Sequence, residues 1–334
     1  MNIAAPICSD TACRVQVDGV CRLGNDPVEG CPHYAIEMDD IEEPAQEQEP
    51  PIAQPVPIWS SEALLLENLV ALKRQRQVRT IALVGEQKVG KTTLLASIYG
   101  AYCKGPFAGL TFVGSETLLA FARLQSFALV SSGRGSPTVP RTSRRDPLSF
   151  FHLALARGGG EVLDLAIADR SGETYTAART STDLISTLAE LRHADRVCFL
   201  LDGARLASMD SRTAYTRHFR QMINALNDNG ALATAQDVEI LSTKFDITST
   251  ANLEDKNIEF LDEYQARLVS DFQRKGLAIS SHHICALPKA DRGVGFVGLD
   301  EMVRRWTAPT PPPMVAPQPL RDATRQFDRL LAKA

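Results

Sequence analysis

The clearest chemical signal in the sequence is an eight-residue loop, residues 85–92, with the letters GEQKVGKT. It fits the pattern G-x-x-x-x-G-K-[ST], in which glycines let the backbone curl so that successive N–H groups face phosphate oxygens. Lys91 is expected to bridge the terminal phosphates as a point charge, and the Thr92 hydroxyl is expected to bind Mg²⁺. The strand predicted before the loop and the helix predicted after it supply the frame that phosphate binding requires.

Two further motifs follow in the chain, each at the end of an apolar strand. Residues 169–172 read DRSG, and residues 243–246 read TKFD. D-x-x-G followed by T-K-x-D makes the sequence resemble the small-GTPase-like (TRAFAC) branch of phosphate-loop proteins. The resemblance implies that Asp169 holds Mg²⁺ through water and that the Gly172 N–H senses the γ-phosphate. The segment after Gly172 would then be ordered with GTP and loosened with GDP.

The T-K-x-D motif predicts guanine as the base. A carboxylate at Asp246 accepts from both N1–H and N2–H₂ of guanine, whereas adenine presents an acceptor at N1 and has no N2 amine. Adenine would leave the buried carboxylate unpaired, which is costly. The Lys244 stem is expected to lie along the purine face, and residues 285–287 resemble the S-A-K loop that contacts the base oxygen. The candidate nucleotide-binding residues are Gly85, Gln87, Lys88, Val89, Gly90, Lys91, Thr92, Thr93, Thr243, Lys244, Asp246, Cys285 and Ala286.

Residues 131–147 contain four arginines and lie where this family places its first switch. Thr142 is the candidate that closes on Mg²⁺ together with Thr92 and Asp169, and Thr138 is the alternative. Arg141 is the candidate internal arginine finger, which would offset negative charge in the transition state. The competing interpretation is a solvated basic loop.

Glu173 directly follows D-x-x-G, where relatives with fast hydrolysis often carry Gln to orient the attacking water. Either Glu173 orients water differently, or hydrolysis is slow and depends on a partner. The candidate catalytic residues are therefore Lys91, Arg141, Thr142, Gly172 and Glu173.

At larger scale the chain resembles bacterial double-GTPase proteins, which lie beside partner proteins in conflict-type operons. The resemblance rests on a Cys-rich head, residues 114–118 with the helix after them, residues 140–142 and residues 169–173. It implies a regulatory switch, and we expect effector or activator proteins to contact the switch segments and the Cys-rich head.

The head contains Cys8, Cys13, Cys21 and Cys31, followed by His33. In a reducing compartment such clustered ligands favour zinc over disulfides, and metal would supply folding energy to a segment without a core. The spacing predicts a structural Zn²⁺ site with four thiolates or with three thiolates and His33. A reactive or redox-sensing tail is the alternative.

Composition divides the 334-residue chain into parts. Residues 1–57 hold 11 of the 40 acidic residues but only 2 of the 36 basic ones, so the remainder carries a net formal charge of +5. That excess suits an anionic ligand but is too small to indicate nucleic acid. We predict a head at 1–33, an acidic Pro-rich linker at 34–57, a phosphate-loop domain at 58–306, and a Pro-rich spacer with a terminal helix at 307–334.

Strands are predicted at 78–84 and near 148–156, 161–168, 195–201, 237–242 and 281–286. Helices are predicted near 61–76, capped by residues 60–62, and near 91–102, 115–129, 181–193, 208–227, 254–275 and 298–306. This alternation predicts an α/β fold, a three-layer phosphate-loop domain with a mostly parallel six-stranded sheet. No apolar run approaches the ~20 residues of a membrane span, and the start of the sequence lacks signal-peptide features, so cytoplasmic location is expected.

Two other functions fit parts of the sequence. An ATPase of the other phosphate-loop branch would use Asp202, which ends the apolar strand at 197–201, as its Mg²⁺ aspartate. It would leave T-K-x-D unexplained. A non-hydrolysing adaptor would bind GTP or GDP for structure alone, and Glu173 is the residue that supports it.

Overall fold

A computed structural model describes residues 8–34, 61–128, 147–249, 254–287 and 296–309. The chain divides into two units, residues 1–58 and residues 59–334. Most of the acidic stretch, most of the basic loop with Arg141 and Thr142, and the C-terminal segment after residue 309 lie outside the described residues.

A seven-stranded sheet forms the centre of the larger unit, in the order β2-β3-β4-β1-β5-β6-β7. β1 is paired in parallel with both β4 and β5, and β6 and β7 continue the parallel part, whereas β3 is antiparallel to both β2 and β4. The strands are β1 (Val78–Val84), β2 (Leu110–Gly114), β3 (Ser149–Arg157), β4 (Val162–Asp169), β5 (Arg196–Asp202), β6 (Asp237–Thr243) and β7 (Ile279–His283).

The α/β class and the mostly parallel sheet confirm the prediction, but the count of six strands was wrong. The missed strand, β2, is a five-residue edge strand with a register shift between Phe112 and Gly114. Only Leu110 in it is buried, so it lacks the continuous apolar run by which the other strands are recognised. The last strand also ends earlier than predicted, because Cys285 instead forms an isolated bridge with Val297.

Helices lie between most of the strands, before β1 and after β7. They are α1 (Val15–Asp18), α2 (Leu66–Gln75), α3 (Lys91–Tyr102), α4 (Leu118–Ala128), α5 (Gly172–Ala178), α6 (Thr182–Ser186), α7 (Ala189–Arg192), α8 (Gly203–Ala207), α9 (Met209–Asp228), α10 (Phe245–Ser249), α11 (Glu254–Gln273) and α12 (Leu299–Thr307). Short α5, α8 and α10 were not predicted, and the expected helix at 181–193 is two helices. None of the helices in the described ranges is long and apolar enough to cross a bilayer.

The predicted cap of the first helix of this unit, at residues 60–62, was wrong. Leu64 pairs through both its N–H and its carbonyl with the backbone of Phe150, so this stretch extends the edge of the sheet and cannot begin a helix. Instead, the Asn68 side chain accepts a hydrogen bond from the Leu65 N–H at 3.1 Å, and α2 begins at the next residue.

Both faces of the sheet are covered, as alternate residues of β1 show. Ala82 and Val84 belong to one core, which includes side chains of α5, α6, α7, α9 and α11. Ile81 and Leu83 belong to the other core, with side chains of α3, α4 and α12. The three layers bury β1 completely from Ile81 onward, so the loop that follows starts from a fixed point.

Residues 114–118, which contribute to the double-GTPase resemblance, are fixed to β3 around His152. The Ser115 hydroxyl donates to the His152 carbonyl, and the Glu116 N–H donates to His152 Nδ1 at 3.0 Å. The other ring nitrogen, Nε2, lies 2.8 Å from Asp164 Oδ1 and therefore carries the proton. The ring is 1% exposed and neutral, and burial lowers its pKa despite the opposing carboxylate.

We expect this histidine to make stability depend on pH. A His whose folded-state pKa is lowered leaves the unfolded chain binding more protons, so the free energy of unfolding falls as pH drops below about 6.5. Urea unfolding at pH 7.5 and 5.5 measures the loss. His152→Gln, which does not titrate, should show a smaller loss than wild type. Equal pH dependence in wild type and His152→Gln would contradict the assignment.

The smaller unit is described from Cys8 to Tyr34. Cys8, Cys21 and Cys31 are buried, Cys13 is partly exposed, and all four are free thiols. The thiol of Cys8 interacts with those of Cys13 and Cys31, and that of Cys21 with Cys31. Within the described part of the chain, no group of three or more Cys, His, Asp or Glu side chains is placed to hold a metal ion. The structure therefore does not support the zinc site, with or without His33, that the spacing predicted.

Candidate functional site

The predicted phosphate loop joins the end of β1 to the start of α3. Lys88 and Gly90 adopt left-handed backbone, with φ of 63° and 103°. Such values curl the chain into a concave run of N–H groups, and the first turn of α3 adds the positive end of a helix dipole. Gly90 tolerates its φ because it lacks a Cβ atom. The local conformation is therefore suited to phosphate oxygens.

Lys91 is turned back onto this loop. Its Nζ donates to the carbonyl oxygens of Gly85 at 2.8 Å and Glu86 at 3.1 Å, and it lies 5.9 Å from the centre of the Tyr175 ring. Burial lowers the pKa of Lys91 to about 8, although Asp169 and Glu86 oppose the shift. A phosphate group beside Nζ would favour the charged form of Lys91.

Thr92 and Asp169 meet because β4 lies directly beside β1 in the sheet. The Thr92 hydroxyl is 3.3 Å from Asp169 Oδ2, and Asp169 is buried. A hydroxyl and a carboxylate are hard oxygen donors of the kind that Mg²⁺ binds, usually together with water and substrate phosphates. The side chains present therefore fit the Mg²⁺ ion predicted for this position.

Gly172 packs directly on the phosphate loop. A Cβ atom built on it would lie 2.3 Å from the backbone N of Gln87 and 2.5 Å from the carbonyl oxygen of Glu86. No side chain other than hydrogen fits there without movement of backbone. The start of α5 is thus in contact with the loop, and Ser171 caps this helix by accepting from the Glu173 N–H at 3.4 Å.

The T-K-x-D motif is bonded to the same loop from the end of β6. The Thr243 hydroxyl lies 2.8 Å from the Val89 carbonyl, to which it donates, and 3.3 Å from that of Leu201. Lys244 has a left-handed backbone with φ of 58°, and its Nζ donates to Asp202 Oδ2 at 2.7 Å. Two motifs separated by about 150 residues are therefore held together by one side-chain hydroxyl.

One cavity of about 360 Å³ extends from the phosphate loop to the T-K-x-D motif. Asp246 lines it and is buried, and burial together with this neighbouring carboxylate raises the pKa of the Cys285 thiol to about 11. The predicted residues that line the cavity are Lys88, Val89, Gly90, Lys91, Thr92, Thr93, Gly172, Thr243, Lys244, Asp246, Cys285 and Ala286. Gly85, Gln87, Asp169 and Glu173 are outside the lining, and Thr142 and Arg141 lie beyond the described ranges.

The family model for Double-GTPase 2 matches residues 79–307. This range includes the phosphate loop, the D-x-x-G and T-K-x-D motifs, and the elements from β1 to α12. The chain belongs to the Double-GTPase 2 family. The resemblance on which the sequence analysis relied is thereby confirmed, and this member of the family has the fold of a phosphate-loop GTPase. No curated protein matches the sequence.

Two solved structures resemble this family member at low sequence identity. One is the signal recognition particle receptor SRβ-GTP/SRX complex from Chaetomium thermophilum, with 15% identity, a TM-score of 0.36, and coverage of 64% of this chain and 94% of that one. The other is Era from Aquifex aeolicus bound to GDP and AlF₄⁻, with 18% identity, a TM-score of 0.32, and coverage of 69% and 56%.

Asp202, the aspartate of the ATPase alternative, has other partners in this family member. It ends β5, accepts from the Ala204 N–H at 3.0 Å as the cap of α8, and pairs with Lys244. Its carboxylate is 2% exposed. The carboxylate that contacts Thr92 belongs to Asp169, on the opposite side of β1.

Sequence reasoning missed a cluster of charges around Glu86. Its carboxylate lies 2.7 Å from Arg205 Nη1 and 3.5 Å from Arg179 Nη1, and Arg205 also donates to the Gln87 carbonyl. Arg179 follows α5, and Arg205 is in α8. The one signal in the sequence was the acidic Glu86 at a variable position of the loop motif. Its arginine partners are 93 and 119 residues away in the chain, so spacing does not identify them.

Close packing at Gly172 gives a direct test. Gly172→Ala should lower the free energy of unfolding by about 1–3 kcal/mol, because the new methyl group overlaps backbone that cannot rotate away. Gly100→Ala is the matched helical control, since its Cβ would meet only the end of the Gln125 side chain at 3.4 Å. That variant should be neutral or more stable. Thermal unfolding compares them, and equal melting temperatures would contradict the contact.

Proposed function

We propose that this chain is a Mg²⁺-dependent switch that binds GTP and hydrolyses it to GDP and phosphate. The observation that carries the proposal is the single cavity whose two ends are formed by the phosphate loop and by T-K-x-D, joined through the Thr243 hydroxyl. A nucleotide in this cavity would meet Lys91 and Thr92 with its phosphates and Asp246 with its base. Membership of the Double-GTPase 2 family supports the same assignment.

Base recognition is assigned to Asp246 and Lys244. Asp246 is 3% exposed and lines the cavity, so its carboxylate would meet the base in a largely dry environment, where matched hydrogen-bond donors count most. Guanine supplies two donors to this carboxylate. The ion pair with Asp202 fixes the end of the Lys244 side chain, so its aliphatic stem has a fixed direction along the cavity wall.

Asp246→Asn should weaken GDP binding by about 10²–10⁴-fold, since two hydrogen bonds to a charged acceptor are lost. It should strengthen xanthosine diphosphate binding, because xanthine presents a carbonyl where guanine has its amine and the new amide donates to it. Fluorescence titration with both nucleotides measures the change. Asp210→Asn, at an exposed position in α9, is the control. An unchanged preference for guanine would remove Asp246 from the base site.

Magnesium and the attacking water complete the proposed reaction. Thr92 and Asp169 would hold Mg²⁺, which when bound neutralises charge on the β- and γ-phosphates. Glu173, whose N–H is fixed by Ser171, is the candidate that orients water, and Gly172 is the candidate sensor of the γ-phosphate. Because Glu replaces the Gln common in fast relatives, we propose slow hydrolysis that a partner protein accelerates.

The first experiment is a competition titration with fluorescent GDP and Mg²⁺, displaced separately by GTP and ATP. We expect GTP to displace the probe and ATP not to do so at a hundredfold excess. Lys91→Ala should abolish probe binding because it removes the one buried ammonium of the loop. Equal competition by ATP would contradict guanine selectivity and revive the ATPase alternative through Asp202. Probe affinity unaffected by Lys91→Ala would contradict the phosphate-loop assignment.

Turnover separates a switch from an adaptor. Wild type should release phosphate from GTP faster than Asp169→Ala, which lacks the carboxylate expected at the metal. Equal rates would favour the non-hydrolysing adaptor. We further propose that partner proteins recognise the segment after Gly172, since α5 contacts the phosphate loop directly and is placed to respond to the γ-phosphate.

A further inference from the structure

Arg170 is the one residue inside the D-x-x-G motif, apart from Gly172, that lines the nucleotide cavity. The D-x-x-G pattern leaves this position variable and so assigns the arginine no role. It lies between Asp169, which contacts Thr92, and Ser171, which caps α5. The arginine is therefore next in sequence to the proposed Mg²⁺ residue Asp169 and lines the same cavity as Thr92 and Gly172.

A buried carboxylate holds this arginine in place. Arg170 Nε lies 2.7 Å from Glu190 Oε1, although its N–H is not aligned with that oxygen, so the contact is an ion pair rather than a hydrogen bond. Glu190 is fully buried, and the Tyr175 hydroxyl donates to the same oxygen at 2.9 Å. A buried carboxylate without a counter-charge is costly, so Glu190 holds the guanidinium group of Arg170 beside it.

The shortest contact of the guanidinium group with Glu190 is made through Nε. Among the described residues, no hydrogen bond involves either terminal nitrogen of Arg170. Two terminal N–H edges of an arginine match two oxygens of one phosphate group. By contrast, Arg179 and Arg205 are paired with Glu86 and do not line the cavity.

We propose that Arg170 contacts the γ-phosphate of GTP, as a catalytic cation supplied by the chain itself, and that Glu190 and Tyr175 are its positioning residues. This inference rests on the proposed function. In hydrolysis the oxygen of water bonds to the γ-phosphorus while the bond to the β–γ bridging oxygen breaks. The bridging oxygen leaves with GDP, and the protons of water remain with the released phosphate and the solvent. Arg170 offsets the charge on the transferring group and forms no covalent bond.

The contact predicts a difference between nucleotides. GDP lacks the group that Arg170 meets, so loss of the arginine should leave GDP affinity within about threefold of wild type. Affinity for a non-hydrolysable GTP analogue with a β–γ imido bridge should fall at least tenfold. Single-turnover hydrolysis of GTP should fall by about 10²-fold or more, in line with other arginines that act on this reaction.

Three variants of the full chain test this. Arg170→Ala removes the cation but leaves Glu190 uncompensated, so the double variant Arg170→Ala with Glu190→Gln keeps the test valid if the single variant unfolds. Glu190→Gln alone should lower the hydrolysis rate with GDP affinity unchanged, a split that a purely structural role would not produce. Arg192→Ala is the control, since Arg192 is exposed on the same short helix as Glu190.

Fluorescent GDP, the imido analogue and single-turnover hydrolysis are measured on every variant. Wild-type hydrolysis and analogue affinity in the double variant would overturn the role of Arg170 and leave the proposed function intact. A parallel loss of GDP and analogue affinity would also overturn it, by showing that Arg170 only maintains the cavity. Absence of guanine nucleotide binding in wild type would overturn the proposed function itself. Wild-type binding is measured first, so this failure is distinguished from failure of the role of Arg170.

Discussion

The curled backbone of the phosphate loop is the constraint on which the site depends. A run of N–H groups that faces inward cannot satisfy itself with helix or sheet hydrogen bonds, so the loop needs support from its neighbours. That support holds the carbonyl oxygens and leaves the N–H groups to the ligand: Thr243 donates to the carbonyl of Val89 and Arg205 to that of Gln87, while Gly172 packs directly on the loop. Each support comes from the carboxyl end of a different strand or the helix after it, and the parallel part of the sheet brings these ends to one edge.

The sheet order also explains why two aspartates in similar sequence contexts have different environments. β4 and β5 flank β1 on opposite sides, and each ends in an aspartate. Asp169 lies on the side where the first turn of α3 presents Thr92, whereas Asp202 lies on the side where β6 presents Lys244. Both residues end apolar strands, and the sequence distinguishes them only by the D-x-x-G motif that Asp169 begins. Their different partners are fixed by strand order.

Features set by local spacing were predictable from the sequence, and features set by tertiary contact were not. The loop, β1 and α3 follow from residues adjacent in the chain, and α3 has the predicted bounds. The Cys-rich unit shows what spacing alone does not predict, because its four cysteines, though some of their thiols interact, form no group of three or more described side chains that could hold a metal ion. The pairing of Arg170 with Glu190 spans 20 residues and two short helices. Its existence depends on how α5 and α7 pack, which no motif encodes.

The charges around the loop form one row: Lys244, Asp202, Arg205, Glu86 and Arg179, in alternating sign. The row begins at the base end of the cavity and ends at the helix beside Gly172. Each interior member has neighbours on both sides, so removal of one leaves two others undercompensated. The changes in the free energy of unfolding caused by single substitutions along the row will therefore not add. A double-mutant cycle between its two ends measures how strongly the base site and α5 are thermodynamically coupled.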